Sequence, residues 1–389
     1  MSDFLSFGLP AKLLQSLARM NFTVPTPVQA QAIPLALSGR DILGSAQTGT
    51  GKTGAYGIPL IARLMDRPQA SAIVLTPTRE LATQVIATLH QFIPVPDIRT
   101  ALLIGGESMP RQFRQLQGRP RLIVGTPGRI NDHLQRGSLR LNNTHFLVLD
   151  ETDRMLDMGF GVQIEKIVAH LPRERQTMMF SATLPPGIVK LSAKYLNNPE
   201  RITLGSTTEA APNIQQELIQ VNESEKYTRL LDQLRGITHS VLVFVKTKYG
   251  TERLADRLAK QNFSTDAIHG DLKQNRRDRV IQGFRDKKFQ ILVATDLAAR
   301  GLDVPHIRLV VNYDLPQCPE DYIHRIGRTA RAGASGKAVN LLTSADHDKW
   351  RAICRLMDPS APQQGPGRAD HSGQHRKKKK HFRYGRRAA

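Results

Sequence analysis

The chain has 389 residues, 40% of them hydrophobic and 23% charged, with a formal net charge of +21. That length suggests two or three domains, two being the better fit to an α/β pattern, and the positive balance favours a polyanionic partner, nucleic acid ahead of an anionic membrane surface. Cys318 and Cys354 are far apart and lack metal-ligand spacing, which argues against a disulfide framework or a cysteine zinc site and fits a reducing compartment.

No basic segment followed by an apolar core opens the chain, and no apolar run approaches about eighteen residues. A soluble cytoplasmic protein with no membrane contact is therefore expected.

Short β-branched runs recur along the first half: Asp41-Ile42-Leu43, Ala72-Ile73-Val74-Leu75, Leu122-Ile123-Val124, Phe146-Leu147-Val148-Leu149 and Met178-Met179-Phe180. Helix-like segments such as RELATQVIATLHQF lie between them. Alternating strands and helices imply βαβ units around a parallel sheet, and nearly continuous apolar runs suit strands buried on both faces. A polar, turn-rich motif follows each run: GSAQTGTGKT, TPTREL, GTPGR, DETD and SATLPP. In open α/β sheets ligands bind at the carboxyl ends of the strands, so one edge collects the reactive residues.

The second half repeats the rhythm at Val241–Val245, Ile291–Val293, Leu309–Val311 and Ala338–Leu342, with KTKYG, ATDLAARGLD and NYDLP behind the first three. The fold class expected is α/β, with two tandem domains, each a mainly parallel sheet flanked by helices. The boundary falls at GSTTEAAPN, residues 205–213, which lacks apolar periodicity. This places a first domain at 1–205, a linker at 206–213, a second domain at 214–358 and a tail at 359–389. From Ser360 onward nine Lys or Arg stand against one Asp, so the tail is expected to be disordered. Phe382 and Tyr384 among its basic residues favour an RNA-binding tail over a merely solubilising one.

AQTGTGKT, residues 46–53, follows the first strand and precedes a helical stretch. It is a phosphate-binding loop of the Walker A kind, with Ala46 in first position and Gln47, Thr48 and Thr50 between the glycines. Gly49 and Gly51 let backbone N–H groups turn toward phosphate oxygens. Lys52 reaches the β- and γ-phosphates, and Thr53 offers a hydroxyl to Mg²⁺.

DETD, Asp150 to Asp153, ends a strand in the same half. Three carboxylates in four residues repel one another unless a cation sits among them. Asp150 is suited to hold Mg²⁺ through its water shell, and Glu151 to orient or deprotonate an attacking water. The second half has no phosphate loop, but HRIGRTAR sets Arg325, Arg328 and Arg331 three apart, near one face if the segment is helical. That cluster is either a solvated basic face or a source of arginine fingers for a γ-phosphate bound on the first domain.

From about Phe4 to Leu342 the chain resembles the DEAD-box RNA helicases of superfamily 2. The matching motifs stand in the family's order. They are Phe4 with NFTVPTPVQ from Asn21 to Gln29, AQTGTGKT, PTREL from Pro77, Gly105-Gly106, TPGR from Thr126, DETD, and SAT from Ser181. VFVKT from Val243, Gln274 with Arg277, ATDLAARGLD from Ala294, and HRIGRTAR complete the series.

The resemblance implies two RecA-like domains that close on ATP and Mg²⁺. It implies that Gln29 bonds the adenine edge, that Phe22 stacks on the base with Phe4 nearby, and that Asp303 meets the ribose side. It implies that Arg328 and Arg331 contact the γ-phosphate, and that Asp153, Ser181, Thr183 and His324 couple nucleotide to closure. RNA would be held by Pro77, Thr78, Arg79, Gly106, Thr126, Gly128 and Arg129 of the first domain, with Thr247, Arg277, Thr295 and Gly301 of the second. Hydroxyls, glycine-turn amides and Arg side chains suit phosphates and 2′-hydroxyls, which carry no base identity.

The family's third acidic-motif position is Ala and here it is Thr152. That change leaves the metal and water ligands intact but puts the coupling to SAT in question. The activity implied is RNA-stimulated ATP hydrolysis, with unwinding of short duplexes or remodelling of RNA–protein complexes by a monomer. Ribosomal particles or the RNA-decay machinery are the implied settings. A DNA-directed motor of the same superfamily, an ATP-binding RNA clamp that barely turns over, and a P-loop transporter or remodeller are the competing readings.

Overall fold

The structure is a computed structural model that describes residues 3–46, 49–184, 186–204, 213–299, 302, 304–330 and 335–357. Gln47, Thr48, Gly301, Asp303 and Arg331, most of the expected linker, and the basic tail lie outside the described residues.

Two parallel sheets make up the chain. The first holds β1 (Ile42–Ser45), β2 (Ser71–Leu75), β3 (Thr100–Leu103), β4 (Leu122–Gly125), β5 (Thr144–Leu149), β6 (Gln176–Ser181) and β7 (Glu200–Thr203), in the order β3-β4-β2-β5-β6-β1-β7. The second holds β8 (Ile214–Gln220), β9 (Ser240–Phe244), β10 (Thr265–Ile268), β11 (Ile291–Ala294), β12 (Ile307–Asn312) and β13 (Gly336–Leu342), in the order β10-β11-β9-β12-β13-β8.

The apolar runs of the sequence are the inner strands of both sheets. The strands it does not announce are β3, β7, β8 and β10, and these are the four sheet edges. The reason is burial. An inner strand such as β4 or β9 is covered along its length, whereas β7 buries Ile202 between exposed neighbours and β8 alternates partly covered and exposed residues. An edge strand needs fewer apolar side chains, so its pattern is weak.

Helices cover both faces of each sheet. On the first, Leu13, Ile33, Tyr56, Ile58, Val85, Phe92 and Phe180 belong to one core, and Ile73, Leu147, Met155, Ile164 and Met179 to the other. The second sheet packs around Leu230, Val243 and Leu258 on one face and Phe244, Ile281 and Phe284 on the other. A smaller cluster with Tyr322 and Ile353 seats the last described helix, His347–Met357. Parallel pairing points all carboxyl ends of a sheet the same way. The loops behind β1, β2, β4, β5 and β6 therefore share one edge, where the motifs stand.

Candidate functional site

Behind β1 the chain turns through Gly49 and Gly51, at φ +88° and +95°, and enters the helix Lys52–Asp66. Only glycine takes these angles cheaply. Space also requires glycine at 51, because a Cβ there would stand 2.6 Å from Gln29 Nε2. Lys52 is 6% exposed, and its Nζ has no hydrogen-bond partner among the described residues. A buried ammonium without a partner is costly, and an anion at the helix N-terminus would relieve that cost.

Gln29 lies on the helix Pro27–Leu37. It accepts from Thr26 N at 3.0 Å and donates from Nε2 to Gly51 O at 3.1 Å. It therefore ties the entry segment to the phosphate loop and keeps a second Nε2 hydrogen. Phe22 is half-buried beside Gly54. Phe4 is buried behind it, with ring centroids 6.0 Å apart.

The end of β5 supplies the acidic centre. Asp150 is 3% exposed; its Oδ2 accepts from Tyr56 Oη at 2.8 Å and its Oδ1 from Glu151 N at 2.9 Å. Burial pushes the Asp150 carboxyl up to about 6, against the pull of Lys52. Glu151 adopts left-handed backbone, φ +50°, and its Oε2 is 2.5 Å from Arg154 Nη1, both side chains being buried. Burial alone would raise Glu151; Arg154, Lys52 and Arg328 outweigh it and hold the carboxyl below its ordinary value. Arg154 Nε and Nη2 have no partner among the described residues. They sit beside a water-sized gap lined by Asp296, Asp321 and His324.

These residues fit magnesium on a nucleotide. The buried Asp150 carboxyl is displaced toward its neutral form despite the pull of Lys52, and the Lys52 ammonium has no hydrogen-bond partner among the described residues. A phosphate group with a divalent cation would satisfy both.

Thr152, the departure from the family pattern, is fully buried. Its hydroxyl lies 3.1 Å from Leu149 O and 3.2 Å from Phe180 O. It thus reaches the residue just before Ser181. Asp153 Oδ2 accepts from Ala182 N at 3.0 Å, Thr183 N at 2.9 Å and Thr183 Oγ1 at 3.0 Å, and Ser181 Oγ accepts from Asp153 N at 3.3 Å. From the other sheet His324 brings Nε2 to 4.0 Å from Asp153 Oδ2. Burial, with Arg154 second, drives the His324 imidazole well below its ordinary value. Asp153, Ser181, Thr183 and His324 therefore form one cluster across the seam.

The HRIGRTAR segment differs from its expected form. The helix Pro319–Ile326 ends at Gly327, and Arg328 N and Thr329 N close turns onto Arg325 O and Ile326 O. Arg325 and Arg328 therefore do not share one helical face. Arg325 pairs bidentately with Asp296 inside its own half, at 2.5 and 2.7 Å. Arg328 leaves in another direction, bonding His324 O and Leu302 O and adding its charge to Glu151.

A second site opens where the halves meet. A cleft of about 430 Å³ is lined by Pro77, Thr78, Arg79, Thr126, Gly128 and Arg129 from the first half and by Gly270, Leu272, Gln274, Arg277 and Leu297 from the second. Thr78 caps the helix Arg79–Phe92 by accepting from Leu81 N, which leaves its hydroxyl hydrogen available. Gly105 and Gly106 make room for Arg79, since a Cβ at Gly106 would stand 2.3 Å from Arg79 Nη1.

Arg79 Nη1 donates to Gln274 Oε1 at 2.9 Å, and Arg277 Nη2 meets Glu80 Oε1 at 2.7 Å. Thr247 caps the helix Lys248–Ala259 on the exposed surface, and Thr295 is buried at the end of β11. The sequence reading missed Glu80, Arg154 and Tyr56 as parts of these sites. None carries a local signal, because each acts through a partner distant in sequence or one turn away.

A DEAD/DEAH box helicase family model matches residues 26–191, and a helicase conserved C-terminal domain model matches 225–333. A DEAD-box ATP-dependent RNA helicase, CshA of Geobacillus kaustophilus, is 43% identical over 370 residues, 93% of this chain and 79% of that protein. Among solved structures, S. cerevisiae Dbp5 bound to RNA and ADP BeF3 superposes with a TM-score of 0.83 at 31% identity, over 92% of this chain and 94% of that one. A DEAD box protein from Methanococcus jannaschii is 40% identical over 91% of this chain and 97% of that one, yet scores only 0.54. Higher identity with poorer overlap over nearly full length points to a different setting of the two halves. In this chain they stand as in the RNA-bound relative.

Proposed function

The chain belongs to the DEAD/DEAH box helicase family, and from that premise we propose that it is an ATP-dependent RNA helicase that grips RNA across both halves when ATP closes them. Residues 1–205 form the nucleotide-holding domain, 214–358 the domain that completes the site, 206–213 the link and 359–389 a basic RNA-binding tail. The observation that supports this most is the seam itself. One setting of the halves brings His324 to Asp153 and Arg328 toward Glu151 beside the phosphate loop, and Arg277 to Glu80 in the cleft. The two sites are thereby completed together.

Bound ATP with Mg²⁺ supplies the phosphoanhydride to be cleaved and the charge neutralisation that cleavage needs. The protein does the rest. Lys52 and the amides after Gly49 take the phosphate charge, Thr53 and Asp150 would hold the cation, and Gln29 offers its remaining Nε2 hydrogen to the adenine edge with Phe22 as a stacking face. Glu151, kept ionised by Arg154, accepts the proton of the attacking water. Arg328, with Arg331, meets charge growing on the γ-phosphate.

In the cleft, Pro77, Thr78, Arg79, Thr126, Gly128, Arg129 and Arg277 face phosphates and 2′-hydroxyls, joined by Gly106, Thr247, Thr295 and Gly301. None of these groups selects a base. Closure around one bent strand excludes a duplex, so the partner strand leaves; hydrolysis then reopens the seam. Action in the cytoplasm, as a monomer on ribosomal particles or in RNA turnover, completes the reading.

The test is ATP hydrolysis with Mg²⁺ in four samples, namely no nucleic acid, RNA, single-stranded DNA and duplex DNA, with Glu151→Gln as the inactive control. RNA alone should stimulate. Equal rates in all four would sink the reading and favour an ATP-binding RNA clamp.

A further inference from the structure

We propose that Tyr56 is the positioning residue of the metal–nucleotide site: its phenol holds Asp150 and fixes the direction in which that carboxylate presents its oxygens. This rests on the nucleotide-binding reading above.

Tyr56 sits on the helix that opens at Lys52, one turn after Thr53, so the two side chains share a face. The phenol is fully buried and its ring is wedged against Phe180 of β6, with centroids 5.5 Å apart. It therefore cannot swing away. Its hydroxyl donates to Asp150 Oδ2 at 2.8 Å.

Tyr56 gives its hydroxyl hydrogen to one carboxylate oxygen of Asp150. With Glu151 N on the other oxygen, Asp150 is held at two points and its carboxylate plane is fixed. Without the phenol, Asp150 is held at one oxygen only. It must then be oriented by the ion that binds it, which weakens binding of that ion.

The experiment uses the full chain and a fluorescent, non-hydrolysable ATP analogue. Binding is titrated with Mg²⁺ for the native protein and for Tyr56→Phe, which keeps the ring and its packing, and is repeated in EDTA. The Mg²⁺ midpoint should rise about three- to tenfold in Tyr56→Phe, while affinity in EDTA stays within about twofold. In hydrolysis, KM for the Mg²⁺–nucleotide should rise and kcat should recover at saturating Mg²⁺. On an Asp150→Asn background the same replacement should shift the midpoint by less than about twofold, since the acceptor's charge is gone.

An unchanged midpoint would overturn the proposal. An equal loss with and without Mg²⁺ would also overturn it, because that is the signature of a packing role. If the native protein fails to bind the analogue at all, the nucleotide reading has failed instead.

Discussion

Arg277 and Glu80 meet across the two halves at 2.7 Å, with side chains only 10% and 9% exposed. Glu80 and Arg277 stand on different halves, so the pair forms only when the halves meet. Breaking it leaves a guanidinium buried without its carboxylate, at a cost of about 2 kcal/mol for a charge-assisted hydrogen bond, or roughly thirtyfold in the closing equilibrium. Glu80→Gln should lower the closed fraction by about that factor, read as the distance between dyes on the two halves in the presence of RNA and a non-hydrolysable nucleotide. RNA affinity alone is a poorer readout, since removing a carboxylate from the cleft also strengthens attraction to phosphate. A closed fraction equal to the native one would show that the pair contributes nothing to closure.

Thr152 places a hydroxyl between two strand ends, within reach of both Leu149 O and Phe180 O. Thr152→Ala removes one neutral hydrogen bond and a methyl. The loss should be about 1 kcal/mol, and the melting temperature should fall by about 2–4 °C. Because Asp150, Glu151 and Asp153 keep their own partners, RNA-stimulated hydrolysis should persist within about threefold. A variant with native stability but no response to RNA would mean that the hydroxyl serves coupling rather than cohesion.

His324 sets a pH dependence on closure. In the closed form burial, with Arg154, Arg328 and Lys52 around it, holds the imidazole well below 6.5; Glu151 and the neighbouring Asp153 pull the other way and lose. Once the seam opens, water restores an ordinary value near 6.5. The open form therefore binds a proton that the closed form refuses. Stability of the closed form is full above 6.5 and falls as pH drops below it, by roughly tenfold in the closing equilibrium at about pH 5.5. Binding of RNA with the nucleotide analogue should follow that curve, and His324→Asn should flatten it. A flat native profile between pH 7.5 and 5.5 would contradict the assignment.

The tail carries nine Lys or Arg and one Asp from Ser360 onward. If it contacts RNA, deleting 359–389 should reduce the slope of log affinity against log salt, by up to about 6 if every cation meets a phosphate of a single strand. Unwinding of a short duplex at low salt should weaken with it, while hydrolysis without RNA stays the same. An unchanged salt slope would assign the tail to solubility.

Much of this protein could be read from its residues in order. The inner strands are largely buried on both faces and so are mostly apolar. Parallel pairing then sends every loop that follows them to one edge, where AQTGTGKT, PTREL, TPGR, DETD and SAT stand in line. Motif chemistry is local, because a phosphate loop needs glycines and a lysine within a single turn. The sheet edges escaped that reading, since β7, β8 and β10 are half-covered and lack an apolar run, and β3, though it carries Ala101-Leu102-Leu103, is covered only at alternate residues. So did the course of HRIGRTAR, where the spacing of three suggests a helical face but Gly327 ends the helix and sends Arg325 and Arg328 apart.

What only the tertiary structure decided was which charges are paired. Glu80 with Arg277, Arg154 with Glu151, Tyr56 with Asp150 and Thr152 with Phe180 join different strands, helices or halves, or turn on one backbone angle. Composition and spacing specify where a carboxylate lies along the chain. Whether it is buried, and against what, depends on how strands and helices pack within one half and, for Glu80 with Arg277, on how the two halves are set against each other. That setting is a balance of desolvation and pairing at a seam, and it is resolved only when the seam is closed.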